Sequence, residues 1–436
     1  MAASETLVFR ARAVARTEIT PPVLVLAAAI PIVFLHVNYQ PSVSFPLGST
    51  HVGVELSDLA VLAVAVAAVW QGLRSGFAPL RGVASLWCVA GLLLVWILVR
   101  SESLKHFVTA AKFAEYALLA PALPLLLRRR ADWELVAVVI AIWSAIATLV
   151  GLLQFFGVDI AAAWTAGRRQ PSFLGHSDFG ALSALALGIG FAALVFEARR
   201  LGWFPVVFGA LGVVLAGATA GLIGVAAGTI GLLYAAWRRR RLALRDVALC
   251  GTVVAVVAAG VFTLRAGDYD QFLRFLHIRR AEHAQRVGVE TYAQHTLLAY
   301  IGYRIWRAQP VVGAGWQGST DAKNVDPQLP AAHRKFPHVA PIAFPTRAHE
   351  WGVQNAYVQA AADLGVIGLL LWLTPFGLAL FIALRADRPP GAIAAFAVLA
   401  ALGSWIGQGL VAGLPLDAVT WLAFGLTATA AASSRD

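Results

Sequence analysis

The chain has 436 residues, of which 59% are hydrophobic and only 13% charged. Soluble domains carry about 25% charged and 45–50% apolar residues, so this balance excludes a water-soluble enzyme and a disordered or fibrous chain. The net charge of +11 gains meaning only once each charge is placed relative to a membrane.

Apolar windows of about 20 residues recur along the chain, as a bilayer-spanning helix requires. The runs are continuous rather than alternating, which argues against a β-barrel. We read an all-α, polytopic membrane protein with about twelve spans. They cover 19–37, 54–72, 83–99, 106–127, 132–156, 178–197, 202–217, 219–237, 246–265, 353–384, 391–411 and 414–433. The first run follows a polar tail with Arg10, Arg12 and Arg16. It is too long for a cleavable signal and reads as the first span. The span at 353–384 is long enough to bend near Gly365 and Gly368 or to begin outside the membrane. Residues 1–265 thus hold spans one to nine, 266–351 form one long loop, and 352–436 hold the last three spans.

Charge sets the expected orientation. With the N-terminus in the cytoplasm, the cytoplasmic segments hold 18 of the 34 basic residues, among them Arg128 to Arg130 and Arg238 to Arg241. The outer loop 38–53 holds none, in keeping with the positive-inside rule. Nine spans before residue 266 place the long loop outside. Its own positive charge does not conflict, because long loops escape the rule. Phe272, Phe275, Leu276, Leu297, Leu298, Ile301 and Ile305 recur there at three- and four-residue spacing, which predicts helices along the membrane face. Residues 324–346 are rich in proline and read as an irregular cap. Gly217, Gly221, Gly224 and Gly228 give small-xxx-small spacing, a packing signal. Cys88 and Cys250 sit in apolar runs, so no disulfide framework is expected.

Three polar constellations fall on the outer side. The first is Arg168-Arg169-Gln170-Pro171-Ser172-Phe173-Leu174-Gly175-His176-Ser177-Asp178. Paired guanidinium forks suit phosphate or carboxylate, though an arginine pair also touches lipid headgroups. His176 and Asp178 fit a cavity at a helix start, and equally a structural histidine and an N-cap. The second runs from Arg304 through Trp306, Arg307 and Pro310 to Gly313 and Gly315. It follows no strand, so it is not a dinucleotide fingerprint. The third holds His338, then Arg347-Ala348-His349-Glu350-Trp351-Gly352-Val353-Gln354-Asn355. Adjacent His and Glu can supply a base and its orienting partner, and a plain loop histidine fits as well. Inside the fourth span Lys112 and Glu115 can pair with each other or line a cavity. Asp58 and Asp363 lie near span ends and read as caps or interface residues.

In this order the three segments resemble the bacterial O-antigen ligase and polymerase superfamily, over residues 160 to 380. The family's R-x-x-G-x-F-like segment reads Arg169-Gln170-Pro171-Ser172-Phe173 here, with the glycine later at Gly175. Its W-x-x-x-P-x-x-G-x-G pattern is matched by Trp306, Pro310, Gly313 and Gly315. Its H-[NSQ]-x9-G-x-x-G signature is matched by Asn355, Gly365 and Gly368, with Gln354 where the family has histidine. Glutamine cannot act as a base near neutral pH. Either His349 or His338 folds back, or histidine is dispensable here, or the chemistry is altered.

The resemblance implies a GT-C-like, metal-independent glycosyltransferase of the plasma (inner) membrane, with no cofactor and its active site on the periplasmic side. The implied donor is a glycan on undecaprenyl diphosphate. The implied acceptor is a glycan or lipid A core hydroxyl. Membrane lipids are expected partners and nucleic acid is not. The expected catalytic residues are His349, Glu350 and His338. Arg168, Arg169, His176, Arg286, Arg304, Arg347, Gln354 and Asn355 are expected to bind diphosphate and glycan. A polyprenyl-linked glycan transporter or flippase, and a non-catalytic glycolipid-binding subunit, are the alternatives.

Overall fold

The computed structural model describes residues 19–48, 50–197, 199–275, 291–346, 349–404 and 418–433. Nearly all regular elements among these residues are helices. Among the described residues six helices are long and apolar enough to cross a membrane: α2 (Leu56–Ser75), α7 (Arg130–Phe155), α8 (His176–Glu197), α10 (Thr219–Arg238), α11 (Leu244–Leu264) and α16 (Ala356–Arg385). Shorter apolar helices join them: α1 (Pro21–Val33), α4 (Ala84–Val99), α9 (Trp203–Ala216), α17 (Pro389–Ser404) and α18 (Ala418–Ser433). The protein is a multi-pass membrane protein. The expected span 106–127 is two successive helices, α5 (Leu104–Ala117) and α6 (Leu119–Leu126), after the one-turn α3 (Ala78–Arg81).

Helices apolar on every side suit this setting. On α2, Leu59, Leu62, Val66, Val69 and Leu73 are exposed, a lipid-facing stripe. Val61, Val64 and Ala68 of the same helix face the core. The glycine stripe of α10 packs as its spacing predicts. A Cβ at Gly224 would meet the Ala400 carbonyl of α17 at 2.5 Å, and one at Gly228 would meet Phe396 at 2.8 Å.

The short loops gather charge on one face. Arg128 donates to the carbonyl of Ser75 at 2.8 Å. Arg199 contacts Glu134 at 2.9 Å, and Arg130 contacts Glu197 at 3.4 Å. The opposite face holds a hairpin the sequence reading did not anticipate, β1 (Ser42–Leu47) against β2 (Thr50–Glu55). It also holds the polar segment, with helices α12 (Ala266–Phe275), α13 (Thr291–Ala308), α14 (Ala322–Val325) and α15 (Leu329–Lys335).

Two expectations need correction here. The apolar stripe of α13 does not face lipid. Leu297, Leu298, Ile301 and Ile305 are buried against Ala314, Val325, Ala332, Phe336 and Phe344 of the cap, because the cap itself offers an apolar underside. Lys112 pairs with Asp58 of α2 rather than with Glu115. Asp58 also caps α2 by accepting from the Glu55 amide at 2.8 Å, as a cap should.

One backbone joint locks the polar segment to the bundle. α16 breaks at Gly365, with φ 69° and ψ −170°. The turn after α13 plugs the break. Ala314 and Gly315 amides donate to the carbonyls of Ala362 and Asp363 at 2.8 and 2.9 Å. The Val366 amide donates to the Pro310 carbonyl at 2.9 Å. Arg100, just past α4, donates to the Gly313 carbonyl at 3.0 Å, and its own carbonyl accepts from Trp316 at 2.8 Å. Asp363 is neither cap nor interface residue. It is fully buried and accepts from the Ser319 amide at 2.7 Å and Gln359 at 3.2 Å. The motif glycines Gly313 and Gly365 are therefore joint residues. A Cβ at Gly365 would sit 2.1 Å from the Val311 carbonyl oxygen.

Gly365→Ala should lose about 1–3 kcal/mol from backbone strain alone, with the clash in addition. Gly377→Ala on the same helix meets nothing within 4 Å and should keep the wild-type thermal midpoint in detergent. Equal midpoints for the two variants would contradict the joint.

Candidate functional site

The segment between α7 and α8 is irregular but fixed, because two buried glutamines sew it together. Gln154 donates to the carbonyls of Ile160 and Ser172 at 2.7 and 3.2 Å and accepts from the Ser172 amide at 2.8 Å. Gln170 accepts from the Trp164 amide at 2.9 Å and donates to the Thr165 and Arg168 carbonyls at 3.0 and 3.1 Å. The Gln170 amide also donates to the Leu215 carbonyl at the end of α9, at 2.8 Å. Arg169 is thereby held beside the α9–α10 turn. Its guanidinium lies 4.7 Å from the Trp164 ring centre. Trp164 in turn meets His176 edge-on at 4.2 Å. Arg168 points outward and is exposed.

The α9–α10 turn is the centre of this arrangement. Gly217 adopts the left-handed conformation, φ 60°. A Cβ there would lie 2.7 Å from the Arg169 Cβ. From the other side Arg265, at the end of α11 and 5% exposed, donates to the Gly217 carbonyl at 3.2 Å and to the Thr219 hydroxyl at 3.3 Å. Asp268 of α12 steadies Arg265 through Nε at 2.9 Å. Tyr269 shares a 2.8 Å hydrogen bond with Thr219. Two guanidinium groups thus flank one glycine.

Two imidazoles and a carboxamide complete the cluster. Arg169 and Arg265 both lie within electrostatic reach of His176 and of His295 on α13. Burial, and then the Arg265 charge, push the His295 imidazole down to about 4; Gln354 partly opposes this and Arg169 adds to it. Gln354 is 1% exposed. Its carboxamide neighbours His295, yet neither end makes a hydrogen bond of normal geometry. A buried carboxamide left so costs about 1–3 kcal/mol, which a ligand hydroxyl would recover. The next residue, Asn355, is the N-cap of α16, accepting from the Tyr357 and Val358 amides at 3.1 Å each.

The structure therefore brings Arg169, His176 and Gln354 together, and adds Arg265 and His295. The other expected residues are elsewhere. Glu350 is exposed and pairs with Lys105 of α5 at 3.0 Å. His349 is exposed and stacks on Trp351, ring centres 5.7 Å apart. His338 is exposed on the cap. Arg304 donates to Gln328 of the cap at 2.9 Å. Arg286 and Arg347 lie outside the described residues. Among the described residues no group of three His, Cys, Asp or Glu side chains could hold a metal ion.

His295 escaped the sequence reading because it stands alone on an otherwise ordinary amphipathic helix. Arg265 is the last residue of the expected span 246–265. Only its position at the end of a span, where a cation must find partners, hinted at more.

Protonation of His295 gives a direct check. Unfolded, it takes up a proton below about 6.5; folded, it stays neutral to about 4. The unfolded state binds more protons across that window, so stability falls as pH drops through it. The wild-type thermal midpoint should fall more on acidification than that of His295→Gln. Equal falls would refute the placement.

A search of curated proteins finds no match to the chain. A family model described as O-antigen ligase matches residues 204–373. The match runs from α9 through most of α16. It includes Gly217, Arg265, His295, Gln354 and both sides of the Gly365 joint, and it stops short of Arg169 and His176 on the N-terminal side. Over that stretch, less than half of its length, the chain is similar to the O-antigen ligases, which supports a role in glycan transfer for surface-polysaccharide assembly.

Proposed function

We propose that the protein transfers a glycan from an undecaprenyl diphosphate carrier to an acceptor hydroxyl at the outer face of the plasma membrane. The observation that carries this reading is the pair Arg169 and Arg265 on either side of Gly217. A diphosphate is already a good leaving group, so the main demand is cationic stabilisation as it departs. Partly buried guanidinium groups meet that demand. At 4 Å and an effective dielectric of about 20, one charge pair is worth about 4 kcal/mol. An exposed pair such as Lys105–Glu350 is worth about 0.2–1 kcal/mol. Screening by water thus favours the partly buried cluster over the exposed rim as the place for chemistry.

The unsatisfied carboxamide of Gln354 offers one donor and one acceptor group, a good match for a sugar hydroxyl. The basic short loops lie on the face opposite the cluster, which supports an extracytoplasmic site. A lipid A core sugar, another repeat unit or another surface glycan is the acceptor. The proposed reaction uses no metal.

The test uses the full chain in lipid with an undecaprenyl diphosphate-linked oligosaccharide purified from cells lacking this protein. Free undecaprenyl diphosphate and glycan size are followed. Wild type should release the carrier. A lengthening lipid-linked ladder would mark a polymerase, and release only with a second acceptor a ligase. Arg169→Ala should lower kcat by about 10²-fold or more, while Glu350→Gln stays near wild type. No release by wild type, or full activity of Arg169→Ala, would overturn the reading.

A further inference from the structure

His176 opens α8, and its ring is fixed from several sides. Nδ1 lies 3.3 Å from the Ala216 carbonyl oxygen. A carbonyl only accepts, so Nδ1 carries the proton and donates it. In the neutral ring Nε2 is then a bare lone pair. That nitrogen is buried and has no hydrogen-bond partner. Trp164 closes one edge of the ring at 4.2 Å. Behind it, Gly175 turns at φ 84°, where a Cβ would lie 2.9 Å from the His36 ring. The ring is therefore oriented, and its one unpartnered atom is a proton acceptor within electrostatic reach of Arg169 and Arg265.

We propose that His176 is the catalytic base that takes the acceptor's proton through Nε2. This inference rests on the glycan-transfer reading above. The acceptor oxygen bonds to the anomeric carbon as the bond from that carbon to the diphosphate oxygen breaks. The electron pair leaves on the diphosphate, between Arg169 and Arg265. The hydroxyl proton ends on Nε2 and passes afterwards to water or to the released diphosphate. The bond from Nδ1 to Ala216 strengthens as the ring becomes cationic, because charge-assisted hydrogen bonds are stronger. A nucleophile activated by a base that a third group orients is the recurring logic of such sites. Here the orienting group is a main-chain carbonyl from the same turn that seats both arginines.

His176→Asn is the informative variant. Its carboxamide N–H can replace the donor to Ala216, while nothing replaces Nε2. We expect kcat to fall about 10²–10⁴-fold, with unchanged affinity for undecaprenyl diphosphate and an unchanged thermal midpoint. Added imidazole should restore part of the rate. His176→Gln, which keeps polar atoms near Nε2 but no base, should show the same loss and serves if the asparagine variant fails to fold. A wild-type rate in either variant would overturn the inference and leave the transfer reading intact. So would a rate loss matched by lost carrier affinity with no rescue by imidazole, since that is a structural role. If wild type transfers nothing, the reading itself falls and the inference with it.

Discussion

Gly217 meets two demands at once. Its missing side chain lets the Arg169 stem approach, and its carbonyl anchors Arg265. The left-handed turn aims that carbonyl, and glycine adopts this conformation at no steric cost. Two cations are thereby seated on one turn, Arg265 buried and Arg169 half-buried. Left alone they repel each other, and the cost is offset by Asp268, by the Trp164 face and by main-chain carbonyls. A dianionic ligand would offset it further. The geometry of the site follows from this one constraint.

The second constraint is the joint at Gly365. A helix broken inside a bundle frees backbone groups that lipid cannot satisfy. The Pro310–Gly315 turn satisfies them and so ties the polar segment to α16. The joint matters for chemistry because Gln354 leads into α16 and His295 rides on α13. Were the turn to shift along the break, these two would part from each other and from the arginines. The cap buries the apolar stripe of α13 and holds it from above. Packing thus positions the site at one remove.

Composition and apolar run length made the class of fold legible, because lipid demands both. The Gly365 bend was visible as glycine spacing in an overlong span. The short hairpin was not, since a few alternating residues in an outer loop carry almost no signal. At the site, Arg169 and His176 stood out because charge and turn residues cluster there. His349 and Glu350 stood out for the same reason, yet they lie on an exposed rim and Glu350 is already paired. Local sequence cannot separate these cases. What distinguishes them is burial and convergence across four segments, the 156–175 loop, the α9–α10 turn, the α11–α12 junction and the α13–α16 pair. Gln354 looked like a loss of function in the motif. In the fold it is a buried, unsatisfied carboxamide beside a histidine that came from elsewhere in the chain.

The central claim is that the carrier diphosphate sits between Arg169 and Arg265. A cryo-EM map of the full chain in lipid with undecaprenyl diphosphate tests it most directly. The account predicts phosphate density bridging the two guanidinium groups over Gly217. Density seated instead on Arg304 or on the exposed Lys105 and His349 surface, with the Gly217 turn empty, would contradict it.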